Sequence, residues 1–287
     1  MLIMKTNKIF YISALMIALM FSLNSCRKME MISDTSDDNA IAESNSSDVM
    51  KVVESGAKES DMEGKDKTPF FSQLYGSCST ITITPAFPDS TFPKTMVIDF
   101  GSSPCIGDDG KTRKGKITVV MSDFYRNPGC QFSIQTSDYY VNDYKVDLTK
   151  TVKNEGFNND NFLYYTIHAD ATITTPDNEI ITWTSDRVRT WIEGESTNYS
   201  TYGLAGVLDD VYSILGNASG VNRQGKPFTA SITKNLRVEL SCKWIVEGTI
   251  EITPDQLSPA TIDFGNGSCD NEATVTIGSK TKTIYLK

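Results

Sequence analysis

Apolar and polar residues alternate with a period of two through most of the chain after residue 70. In the segment LYYTIHADATIT, residues 163–174, odd positions carry side chains such as Leu163 and Ile167, and even positions carry His168 and Asp170. Successive side chains of a strand point to opposite faces, so this pattern indicates one buried face and one solvated face. Such sheets are typically antiparallel. No stretch shows a convincing helical period of 3.6 residues.

Clusters of turn-forming residues separate the alternating segments. Examples are RNPG at residues 126–129, Asn142-Asp143, PDNE at residues 176–179 and NRQGK at residues 222–226. About a dozen strands result, and several are longer than usual. The sequence therefore predicts an all-β fold in which residues 70–287 form a single domain. We expect one large antiparallel meander sheet, either a sandwich or a curled, barrel-like structure.

One phrase occurs twice: VIDFGSSPC at residues 97–105 and TIDFGNGSC at residues 261–269. Each copy follows a strand-like segment, TITITP or TIEITP, so the sequence predicts two related hairpins near the two ends of the sheet. In each hairpin, one cysteine precedes the first strand and another follows the second. Residues placed symmetrically about a hairpin turn face each other, within disulfide range. The predicted disulfides are Cys78–Cys105 and Cys242–Cys269, which leave Cys130 as a free thiol.

The N-terminal segment has the layout of a secretory signal. Lys5 and Lys8 precede an apolar run that ends at Leu23-Asn24-Ser25-Cys26. The run is shorter than the roughly 20 residues that a membrane-spanning helix needs. Its end resembles a lipobox, in which the signal peptidase cuts before the cysteine that becomes acylated. The sequence therefore predicts a signal peptide over residues 1–25 and palmitate-type lipidation of Cys26 as a membrane anchor.

Residues 26–69 are polar, acidic and almost free of aromatics. Such a segment buries too little apolar surface to offset the entropy lost on ordering. The composition predicts a flexible acidic tether after the lipidated Cys26. A short helix from Val49 to Glu54, capped by Ser47 or Asp48, is the only regular structure that the pattern favours there.

Charge and composition exclude several classes of function. The formal net charge is −9, and the signal segment contributes only lysines, so the mature chain is still more acidic. An acidic chain without basic patches is a poor ligand for nucleic acid. His168 is the single histidine, so neither a Ser-His-Asp triad nor a zinc site with clustered Cys and His is favoured. The turn at residues 176–179 places Asp186 or Arg187 opposite His168, which predicts a solvated polar pair. We predict no enzyme activity and no cofactor.

The segment TNYSTYGLAG, residues 197–206, is the candidate ligand loop. Its aromatic residues Tyr199 and Tyr202 lie between predicted strands, beside Gly and Ser, where binding residues tend to occur. Aromatic rings there would suit a glycan or a protein ligand.

Several phrases, among them GKTRKGKITV, YYVNDYKV, IITWTSDRVRTWIEG and CKWIVEGTIEITP, together with the lipobox, resemble a family of uncharacterised lipoproteins from Bacteroidota. This resemblance implies a lipid-anchored protein of the cell envelope at the outer membrane, and it implies no catalytic or binding residue. Arg27-Lys28 stand directly after the cysteine, where surface-exported lipoproteins often have acidic residues. The surface and the periplasmic side of the membrane therefore both stay open.

The leading functional prediction is a non-enzymatic binding or structural module of the envelope. One alternative is a periplasmic lipid or lipoprotein carrier whose curled sheet wraps an apolar cargo. It requires a concave face lined by residues such as Leu163, Ile167 and Ile173 and left uncovered by helices. The other alternative is a fimbria-like adhesion subunit, which is compatible with the fold.

Overall fold

A computed structural model describes residues 32–57, 75, 77–86, 89–197, 199–203 and 205–286. The strands are β1 (Thr80–Thr84), β2 (Lys94–Asp99), β3 (Cys105–Ile106), β4 (Thr112–Met121), β5 (Gln131–Val141), β6 (Tyr144–Phe157), β7 (Leu163–Thr174), β8 (Ile180–Glu193), β9 (Val211–Val221), β10 (Pro227–Glu239), β11 (Ile245–Pro254), β12 (Ala260–Asn266), β13 (Glu272–Ile277) and β14 (Lys280–Tyr285). The helices are α1 over residues 32–57, α2 (Tyr199–Tyr202) and α3 (Ala205–Leu208).

All fourteen strands of the described residues belong to one antiparallel sheet, as the alternating sequence predicts. Apart from β3, which pairs only with β4, the strands follow one another in chain order from β1 to β14. The alternation also determines which side chains face the core. In β7 the odd residues from Leu163 to Ile173 are buried, and the even residues are exposed or half-buried. The sheet is therefore an open meander with β1 and β14 at its edges.

The sheet curls around α1. Asp48 of α1 contacts Arg113 of β4, and Glu54 contacts Arg189 of β8. These two strands lie four strand spacings apart, roughly 19 Å in a flat sheet, which is more than the ~10–12 Å diameter of a helix. Near its end the helix also meets β2, since a Cβ on Gly56 would lie 3.1 Å from the Met96 sulfur. The inner face of the sheet thus surrounds the helix on several sides.

The long helix corrects the prediction of a flexible tether for residues 32–57. Those residues form one continuous helix, and most of its side chains are buried. Ser47 and Asp48 lie in its middle, so neither caps a short helix over Val49 to Glu54. Val49, Val52 and Val53 belong to the same hydrophobic core as the inner face of the sheet. Residues 1–31 and 58–74, which include Cys26 and the rest of the predicted tether, lie outside the described residues.

The structure joins the cysteine pairs that the hairpin symmetry predicts. Cys78 is bonded to Cys105 with a Cα–Cα distance of 5.9 Å, and Cys242 to Cys269 with 5.7 Å. Cys130 is buried and forms no disulfide in the described part of the chain, as expected. The two related hairpins are β1–β2 and β11–β12. The first lies at one edge of the sheet, whereas β13 and β14 follow the second.

Within the described residues, the structure has no helix of sufficient length and apolar character to span a bilayer.

Candidate functional site

The contact between α1 and the inner face is strongly charged. The helix carries six acidic residues and one lysine. At its centre, the Asp48 carboxylate accepts hydrogen bonds from Arg113 at 2.6 and 3.0 Å and from Lys111 at 2.9 Å. The Asp48 and Arg113 side chains are only 2% and 1% exposed. Burial alone would raise the pKa of Asp48, but the charges and hydrogen bonds of Arg113 and Lys111 together outweigh burial and hold this pKa below its ordinary value.

Three further acidic residues of α1 pair with arginines, two in β8 and one in the turn between β9 and β10. Arg187 donates to Glu43 at 2.7 Å, Arg189 pairs with Glu54, and the Nε of Arg223 donates to Asp38 at 2.7 Å. Lys150 of β6 completes the series, because its ammonium group donates to the backbone oxygen and hydroxyl of Ser46 at 2.9 and 3.0 Å. Burial lowers the pKa of Lys150 to about 8. The helix and the sheet are therefore complementary in charge.

A few polar atoms of this contact have no partner in the described part of the chain. They are the Tyr165 hydroxyl, Nε and Nη1 of Arg187, and Nε of Arg189. All belong to β7 and β8 at the inner face. A buried polar group without a hydrogen-bond partner costs free energy. The hydrogen-bonding groups of this region are therefore less fully paired than those of the cluster formed by Asp48, Arg113 and Lys111.

The outer face of the sheet carries an open polar groove of about 470 Å³ over β5 to β8. Its outward side chains lie on adjacent strands: Gln135 faces Thr149, which faces Asp170, which faces Thr184. Asp147, Thr172 and Thr182 extend the lining along the strands; Thr136, Leu148, Ala171 and Trp183 are its other lining residues. The groove therefore presents hydroxyl, amide and carboxylate groups to solvent.

His168 lies next to this groove and forms the solvated pair that the sequence predicts. Asp186 is its partner in the register of β7 and β8. Nδ1 of His168 is 2.7 Å from an Asp186 oxygen, and Nε2 is 3.1 Å from an Asp170 oxygen. The imidazole is 51% exposed. Mainly through the hydrogen bond with Asp186, the pKa of His168 is raised above its ordinary value.

We expect His168 to titrate above pH 6.5 in the folded protein, and Asp186→Asn to lower its pKa. Because folding raises this pKa, the stabilisation by charged His168 is fully present below the unfolded pKa of about 6.5 and is lost as the pH rises through the folded pKa. An NMR titration reads the pKa directly, since the chain has one histidine. Asp177→Asn, which removes an exposed acid elsewhere, is the control. A pKa of His168 at or below 6.5 would contradict the expectation.

The predicted ligand loop is helical rather than irregular. Tyr199 and Tyr202 begin and end α2, and α3 begins at Ala205. Tyr202 is 60% exposed, whereas the side chain of Tyr199 lies outside the described residues. In the described part of the chain, no group of three or more His, Cys, Asp or Glu residues is arranged to hold a metal ion.

Comparisons with protein-family models, with curated proteins and with solved structures found no match to this chain. Its function therefore has to be inferred from its own geometry.

The sequence pattern did not predict the buried arginines of the inner face that pair with acidic residues of α1. Arg187 and Arg189 alternate with Val188 in β8, and polarity alone would turn Val188 inward. The structure does the reverse: both arginines are buried and Val188 is 37% exposed. The available signal was the acidic character of residues 32–57, which matches these buried cations, but only the fold brings the two together.

Proposed function

We propose that the protein is a lipid-anchored lipoprotein of the cell envelope that acts as a non-enzymatic binding or structural module. Residues 1–25 are removed, and Cys26 carries the acyl chains that attach the chain to the outer membrane. One observation supports a binding role above the others. The inner face of the sheet is filled by α1, whereas the groove over β5 to β8 is open to solvent.

The groove suits a neutral, polyhydroxylated ligand such as a segment of glycan. Threonine hydroxyls both donate and accept hydrogen bonds, the Gln135 amide does the same, and the Asp147 and Asp170 carboxylates accept. A sugar hydroxyl also donates and accepts, so it can match each of these groups. The volume of about 470 Å³ lies within the range of small-molecule sites. Tyr202, 60% exposed, lies beyond the end of β8 and is not among the residues that line the groove.

The carrier alternative receives no support from this arrangement. It requires Leu163, Ile167 and Ile173 to line an open apolar face. These residues are buried in one cluster with the valines of α1. A cargo would therefore have to displace a helix that is held by several buried ion pairs. No described feature favours a fimbria-like subunit.

Binding to an array of neutral and acidic oligosaccharides tests the proposal. We expect the double variant Thr149→Ala/Thr182→Ala to bind an oligosaccharide roughly tenfold more weakly. The two threonine hydroxyls would together contribute about 1.4 kcal/mol of hydrogen bonding to the ligand, and this free energy corresponds to a tenfold change in affinity. The matched control is Thr229→Ala/Thr253→Ala, which removes two exposed threonines that face each other on β10 and β11. Absence of any bound oligosaccharide, or an equal loss in the control, would count against glycan binding.

A further inference from the structure

The direction of α1 within the sheet is defined by contacts at its two ends. Near the start of the helix, the Asn222 amide donates to the Thr35 hydroxyl at 2.9 Å, and the backbone nitrogen of Arg223 donates to Asp38 at 2.8 Å. Near the end, Tyr125 donates to Glu54 at 3.0 Å. The helix therefore begins beside the β9–β10 turn and ends beside the loop between β4 and β5.

These two places lie at opposite rims of the sheet, because neighbouring strands of a meander turn alternately at one rim and at the other. The proximal rim includes the turns at residues 142–143, 175–179, 222–226 and 255–259. The distal rim includes the loops at residues 122–130, 158–162, 194–197 and 240–244. Helix α1 starts at the proximal rim and runs toward the distal rim.

The distance from the predicted lipid anchor to the helix is short. Six residue steps separate Cys26 from residue 32, the first described residue of the helix. Fully extended chain spans at most ~3.6 Å per residue, so the anchor lies within roughly 22 Å of the start of the helix. A tether reaching to residue 69 would have allowed a much longer separation.

We propose that the protein stands on the membrane with its proximal rim toward the lipid headgroups and its distal rim pointing away. This inference rests on the acylation of Cys26 in the proposed function. The helix is held to the sheet along its whole length by the ion pairs of Asp38, Glu43, Asp48 and Glu54, so the anchor orients the entire domain. The exposed Tyr202, in the segment between β8 and β9, then lies at the end farthest from the bilayer.

The chemistry of the proximal rim fits a zwitterionic headgroup layer. Arg223 on this rim is already paired with Asp38 and Glu179, and Asp177 and Lys226 lie beside it. The rim therefore has no basic excess that would select anionic lipids. Ile180 and Val221 add exposed apolar side chains at the same rim, 55% and 37% exposed.

Energy transfer to headgroup-labelled phosphatidylcholine vesicles tests the orientation in the acylated full chain. Asp177→Cys at the proximal rim and Asp160→Cys at the distal rim are matched sites, because both replace an exposed aspartate in a turn that joins β7 to a neighbouring strand. Strand β7 has 12 residues, which separate the two dyes by roughly 40 Å. We expect several-fold more transfer from the proximal dye. The unsubstituted protein gives the background labelling of buried Cys130.

A second variant separates orientation from attachment. Inserting about 20 Gly and Ser residues after Lys28 lets the domain reorient, since such linkers behave as flexible coils. We expect this insertion to remove the difference in energy transfer between the proximal and the distal dye. Flotation with the vesicles but equal transfer from both sites, without the insertion, would overturn the orientation alone. Failure of the full chain to float with the vesicles would overturn the anchor and this orientation with it, while leaving glycan binding to its own test.

Discussion

Replacing Asp48 by alanine is expected to lower the free energy of unfolding by about 3–5 kcal/mol. Asp48 is the acceptor for Arg113 and Lys111 and also receives the Tyr139 hydroxyl at 3.4 Å. Its removal leaves the guanidinium of Arg113, 1% exposed, with Asp109, whose side chain is 34% exposed, as its remaining counter-charge among the described residues. An uncompensated buried charge is the costly outcome, so the loss exceeds that of an ordinary ion pair. Chemical unfolding followed by tryptophan fluorescence measures it.

Two companion variants identify the cause of the Asp48 effect. Glu155→Ala removes the partner of Lys153 at the surface and is expected to cost at most about 1 kcal/mol. Adding Arg113→Leu to Asp48→Ala removes the stranded charge and should restore part of the stability. If Asp48→Ala costs no more than Glu155→Ala, α1 does not occupy the inner face in solution.

The alternating pattern was enough to predict most of the sheet. Each strand from β4 to β11 follows a run of alternating residues, and turn-forming residues separate the runs. The turn at residues 176–179 limited the partner of His168 to Asp186 or Arg187, because a hairpin register is set by its turn, and the structure selects Asp186. The symmetric placement of cysteines about the turns of the two related hairpins predicted both disulfides. These are local relations between residues close in sequence, which is why a single sequence contains them.

Helix α1 could not be predicted because its stability comes from the sheet. Its serines, aspartates and asparagines have weak helix propensity, and an isolated segment of this composition has little reason to fold. In the structure, the valines reach the core and the acids meet cations from β4, β8 and the β9–β10 turn. The partners are 65 to 185 residues away in sequence. Tertiary contacts of such long range leave no local pattern.

The candidate groove could not be predicted from the sequence either. Gln135, Thr149, Asp170 and Thr184 are separated by whole strands in the chain and become neighbours only through the registers of three strand pairs. Exposed threonines are ordinary residues for strands, so none of them stood out. The exposed ring of Tyr202, by contrast, lay in a segment that the sequence did single out.

A β-bulge at Gly115 connects the sheet to the Asp48 cluster. The register of β4 and β5 shifts between Lys114 and Lys116, with one extra residue on β5 near Asp138. Before the bulge the even residues of β5, such as Phe132, face inward, and after it Tyr139 faces inward. The bulge therefore turns the Tyr139 side chain toward Asp48, and it brings the Asp138 backbone close to Gly115.

Gly115→Ala is expected to destabilise the protein by about 4 kcal/mol or more, in the range that only severe mechanisms reach. The added Cβ would lie 2.0 Å from the Asp138 carbonyl oxygen, and φ is +85° at this position. Because the obstacle is backbone, β4 and β5 would have to separate at the bulge, which also moves Tyr139 away from Asp48. Thermal and chemical unfolding measure the loss.

Gly110→Ala is the matched control for the bulge. Gly110 has a similar φ of +75°, but an added Cβ there would meet nothing within 4 Å. Its cost is expected to be only about 1–2 kcal/mol, from the positive φ alone. The difference between the two variants therefore isolates the close approach of β5. Similar losses of unfolding free energy in the two variants would mean that the bulge relaxes easily. The inward orientation of Tyr139 would then not depend on Gly115.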